Sequence, residues 1–142
     1  MCNFLLAKSK VAPINALSVP RLEMLAAVKG GEMSIQVAKA LNIEQSQIYF
    51  YSDSQDVLGW INNRTRVFGS FIRDKIGKIH EASTPGQWNY IPSEINPADL
   101  LTHKMDIVDL TNSVVWKNGP KFLSEMIVQT SFQPSEQISD KK

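Results

Sequence analysis

The stretch that most constrains this chain is Ile48-Tyr49-Phe50-Tyr51-Ser52-Asp53-Ser54-Gln55-Asp56-Val57-Leu58-Gly59-Trp60-Ile61. Residues 48–52 are β-branched or aromatic with little polarity, the composition of a strand buried on both faces. The run ends on Asp53, and Asp53 or Ser54 is placed to cap a short helix through Asn62. A carboxylate at the C-terminal end of a strand lies at the edge where open α/β sheets bind their ligands, which makes Asp53 a candidate metal ligand. Glu23 and Asp99 have similarly constrained settings, and the three acids together point to hard-metal chemistry on a phosphodiester.

The chain has 142 residues, enough for one domain with its own core. Apolar residues make up 43% and charged residues 20%, so composition excludes a wholly disordered chain. Net charge is only +1, so no global basic field marks a nucleic-acid binder, and any such binding must rest on local contacts. Cys2 is the single cysteine, which excludes an internal disulfide, and no CxxC or HExxH pattern offers a zinc site. The apolar run at residues 4–7 is too short for a signal peptide or a membrane span. The chain therefore reads as intracellular, cytoplasmic or nuclear, with no membrane partner.

The spacing predicts a short strand over residues 3–7, a connector over residues 11–19 containing Pro13, and then a helix running to about Leu41. Ser18 is its expected cap, Pro20 lies near its first position and Glu23 is expected in its first turn. Leu22, Leu25, Ala26, Met33, Val37 and Leu41 recur near one face. Gly30-Gly31 interrupts the pattern at a cost of ~1 kcal/mol per Gly relative to Ala, or marks close packing on a sheet. Residues 67–82 carry Phe68, Phe71, Ile72, Ile76 and Ile79 at helical intervals. Pro85-Gly86 is a turn signal, residues 88–91 a strand, and residues 92–97 a loop delivering Asp99 to another helical segment. This alternation predicts an α/β sheet with parallel pairs in a domain over residues 1–128, followed by a polar, disordered tail over 129–142. Trp60, Phe68, Phe71 and Trp88 read as core, His80 as a surface or boundary residue, and Lys8, Lys10, Arg64 and Arg66 as surface cations able to meet phosphates.

Three segments resemble successive motifs of the ribonuclease H fold: Arg21-Leu22-Glu23-Met24-Leu25-Ala26-Ala27, the Asp53-Ser54-Gln55 strand end, and Asn96-Pro97-Ala98-Asp99-Leu100. More narrowly, AKSKVAP, VPRLEMLAA, YSDSQDVLGWI, NPADLLTH and WKNGPKFL resemble, in order, the ribonuclease H region of BEL/Pao-type retrotransposon polyproteins. The resemblance implies a ribonuclease H-like mixed sheet with flanking helices. It also implies a carboxylate site that binds Mg²⁺ or Mn²⁺ and cleaves the RNA strand of an RNA·DNA hybrid. Two such cations ~4 Å apart stabilise the attacking and leaving oxygens. Carried over by position, Glu23 is the helix-borne ligand, Asp53 the central-strand ligand and Asp99 the last, more mobile one. Gln55, with Ser54 beside it, matches a position that meets the hybrid's minor groove, where shape and 2′-hydroxyls are read. The remainder of such a polyprotein holds reverse transcriptase and integrase.

The chain also departs from the family pattern. Two strands, the first bearing the first catalytic Asp, precede the strand matched here to residues 3–7, and this sequence has no residues for them. The other acids before Asp53, Glu32 and Glu44, lie on or just after the first helix and cannot replace that Asp. Ser93-Glu94 stands in the loop that often carries a histidine, and His103 falls beyond Asp99. The expectation is a truncated domain, inactive alone, with an exposed apolar edge on the Asp53 strand. The alternative is a non-catalytic α/β remnant that binds nucleic acid or protein.

Overall fold

Val19–Leu41 forms the longest helix, α1, and its buried residues Met24, Ala27, Val28, Gly31, Ser34 and Ala38 recur at the three- and four-residue intervals of one helical face. Pro20 lies in its first turn, where a missing N–H costs nothing. Ser18 stands at the cap position in extended geometry without a side-chain hydrogen bond to the helix. The helix ends at Asn42, whose φ of 54° puts it in the left-handed region that Asn tolerates.

The computed structural model describes residues 2–15, 17–63, 65–102 and 105–130. These fall into two compact units: residues 10–94, and a second made from residues 1–9 with those from 95 onward.

In the first unit α1 is followed by a 3-10 turn at Gln45–Gln47, strand β1 (Phe50–Ser52), helix α2 (Gln55–Asn62), helix α3 (Ser70–Ala82) and strand β2 (Trp88–Tyr90). The two strands pair in parallel, Phe50 opposite Trp88 and Ser52 opposite Tyr90. Their leading side chains stack, with ring centroids 4.5 Å apart. Met24, Val57, Ile61 and Ile79 are fully enclosed between the helices and this ribbon. Trp60, Phe68 and Phe71 pack partly buried against that cluster, as their periodicity predicts.

The second unit holds a 3-10 segment at Pro97–Leu101 and helices α4 (Ile107–Asn112), α5 (Val114–Asn118) and α6 (Lys121–Thr130). Gly119, at φ 72°, terminates α5. The Phe4 ring lies 4.8 Å from that of Trp116.

The fold is α/β, and it corrects several expectations. Residues 3–7 do not form a strand: they have no ladder partner among the described residues, and Phe4, Leu5 and Leu6 remain 45–63% exposed. The observed sheet is accordingly a two-stranded parallel ribbon rather than a mixed sheet. Ile48 and Tyr49 precede β1 because the 3-10 turn ends on Ile48. Helix α3 starts three residues later than its apolar pattern predicts, since Gly69 occupies the cap. The Gly30-Gly31 pair neither breaks α1 nor packs on the sheet. A Cβ built on Gly31 would lie 3.3 Å from the Ala82 Cβ, so this glycine lets α1 and α3 approach closely.

Candidate functional site

Asp53 directly follows β1 and is half-buried, at the C-terminal edge of the ribbon as the strand pattern predicts. Its neighbours fix the backbone on both sides. The Ser54 N–H donates to the Ser52 hydroxyl at 3.1 Å, and the Ser54 hydroxyl accepts from the Val57 N–H at 3.3 Å, capping α2. Ser54, not Asp53, is therefore the cap, which leaves the Asp53 carboxylate available for another role. Gln55 opens α2 and is exposed.

The parallel pairing brings a second loop to the same edge. The Ile91 N–H donates to the Ser52 carbonyl at 3.0 Å, extending the ladder past β2. Two residues on, the Ser93 hydroxyl donates to Asp53 Oδ2 at 2.9 Å. The sequence reading overlooked this partner. The meeting depends on the register of two parallel neighbours, whose following residues emerge on one side.

Glu23 is half-buried on α1, but one turn in, since the first turn of α1 carries no acidic residue. Asp99 belongs to the other unit, in the first turn of the 3-10 segment that Asn96 caps by accepting from the Ala98 N–H. Among the described residues no group of three or more His, Cys, Asp or Glu side chains could hold a metal ion. A two-cation centre needs several oxygen ligands around each ion; of the three candidates, Glu23 and Asp53 lie in one unit and Asp99 in the other.

His80 is exposed, its Nε2 3.3 Å from the Ile61 carbonyl oxygen, and His103 and Arg64 lie outside the described residues, as does the tail from residue 131. Lys8, Lys10 and Arg66 are exposed. A shallow depression of about 330 Å³ is lined by Arg21, Gly69, Ser70, Phe71 and Ile72, with the Arg21 guanidinium 5.1 Å from the centre of the Phe71 ring. No helix among the described residues is long and apolar enough to cross a membrane.

The fold and this edge define an α/β protein with an acid at the carboxyl end of a parallel strand. Residues 1–54 match the model of the Pao retrotransposon-like RNaseH-like domain, which supports a Pao-type ribonuclease H-like region there. The match spans Glu23 and closes just past Asp53; Asp99 lies beyond it. No curated protein and no solved structure matches the chain.

Proposed function

We propose that this chain is a ribonuclease H-like fragment of a Pao-type retrotransposon polyprotein, descended from a domain that cleaves RNA in RNA·DNA hybrids by two-metal hydrolysis. Glu23, Asp53 and Asp99 descend from its Mg²⁺ or Mn²⁺ ligands, and Gln55 and Ser54 from its hybrid-facing surface. The chain by itself does not cleave. The observation carrying the lineage is the family-model match over residues 1–54, with Asp53 at the strand end where it closes.

The test is incubation of a labelled RNA·DNA hybrid with Mg²⁺ or Mn²⁺, comparing the chain with Asp53→Asn. Intact RNA in both reactions is expected. Cleavage by the chain that disappears in Asp53→Asn would overturn the inactivity and make this a working nuclease. A crystal structure in which β1 and β2 do not superpose on a neighbouring pair of parallel strands of a ribonuclease H fold would overturn the lineage.

A further inference from the structure

We infer that Asp53 acts in this chain as a structural latch, holding the segment after β2 to the end of β1 through the Ser93 hydroxyl. The main-chain ladder between the strands is short and runs out at the bond from the Ile91 N–H to the Ser52 carbonyl. Beyond it the chain turns away: Ile91 is 3% exposed and anchored in the core, whereas residues 92–94 are exposed. The ladder stops there because the chain enters a 3-10 turn at Ser93–Ile95. The next polar group able to bridge the two segments is the Ser93 hydroxyl, and it meets the Asp53 carboxylate at 2.9 Å.

The acceptor suits this role. An ionised carboxylate takes a shorter and stronger hydrogen bond than a neutral oxygen, and it offers two oxygens so that small movements of the loop keep a partner. Ser52 and Ser54 hold the backbone of Asp53 in place. Only its own side-chain torsions therefore remain to be ordered by the contact it makes. This inference stands on the hydrogen bond and does not need the proposed lineage. It accounts for a half-buried strand-end acid in a chain whose described residues gather no metal-binding group.

The experiment is amide hydrogen exchange at Ile91, whose N–H is the last rung before the latch, in the full chain and in Ser93→Ala, Asp53→Ala, Asp53→Asn and the double alanine variant. Each single alanine change is expected to speed exchange about fivefold, the size of one typical net hydrogen bond. The double variant should exchange no faster than either single one, because both remove the same bond. Asp53→Asn keeps an acceptor oxygen and should fall between the chain and Asp53→Ala. Unchanged exchange in Ser93→Ala, or effects that multiply in the double variant, would overturn the latch. So would saturable Mn²⁺ binding, followed by paramagnetic broadening, that is lost in Asp53→Ala and unaltered in Ser93→Ala. Asp53→Asn, being nearly isosteric, provides the reading if Asp53→Ala fails to fold.

Discussion

The side-chain amide of Gln87 donates to the backbone carbonyl of Gln45 at 2.8 Å, joining residues 42 apart in sequence. The same nitrogen reaches the Ile48 carbonyl at 2.7 Å, and the amide oxygen accepts from the Thr84 N–H at 2.8 Å. Gln45 in turn donates its own amide to Ser34 Oγ at 2.6 Å and to the Ala82 carbonyl at 2.8 Å. Two glutamines thus connect α1, the end of α3 and the entries to both strands. Among the described residues no buried side-chain nitrogen or oxygen lacks a partner.

Gln87→Ala is expected to destabilise the chain by about 2–3 kcal/mol, because it strands backbone groups that a buried side chain had satisfied. Gln87→Glu should cost at least as much, since a carboxylate has no N–H to give the two carbonyls. Urea melts of both variants check this. A midpoint unchanged in Gln87→Ala would mean that water replaces the amide there.

Adjacent glycines in α1 should respond oppositely. Gly30 has nothing within 4 Å of an added Cβ, so Gly30→Ala should stabilise by roughly 0.5–1 kcal/mol through helix propensity and a less flexible unfolded chain. Gly31→Val meets the Ala82 methyl and should cost roughly 1–3 kcal/mol as α1 and α3 are forced apart. Thermal melts of the two variants should move in opposite directions.

Ser54→Ala removes the cap of α2 while leaving Asp53 in place. The expected loss is ~1 kcal/mol, with increased exchange at the Val57 amide. Ser54→Asp should recover most of that stability, because Asp caps a helix start as well as Ser.

Two surface carboxyls predict a pH response. The hydrogen bond from Lys29 and its charge hold Glu32 below its ordinary value of 4.5, and Lys75, with Lys78, does the same to Asp74 below 3.8. A depressed carboxyl favours the folded state above its unfolded pKa. That contribution is lost as pH falls through the lower folded value, so both pairs weaken only in acid. An NMR titration should show Lys29→Met returning Glu32 toward 4.5 while Asp74 stays low. Added salt should shrink both depressions, since these side chains are solvent-screened.

Helix α1, the β1–α2 junction and strand β2 were legible because each rests on a local signal: Pro20 in a first turn, a cap beside an apolar strand, an apolar run after Pro85-Gly86. Residues 3–7 were misread because a strand is defined by a partner, and an apolar pentapeptide does not reveal whether one exists. The pattern leaves Gly31 either interrupting the helix or against a sheet, whereas its neighbour is Ala82, a contact 51 residues away that no periodicity encodes. At the candidate site, the placement of Asp53 was legible from the strand end. Ser93 was not, since its meeting with Asp53 follows from register and direction between two strands.

That direction has a kinetic side. Asp53 and Ser93 are separated by 40 residues, and a free chain would rarely bring them together. Closing such a loop costs entropy that grows with the logarithm of its length. Once Phe50 stacks on Trp88 that cost has been met, and the hydroxyl is presented to the carboxylate at a high effective concentration. A contact too exposed to fold the chain can then still set how fast one end of the ribbon opens.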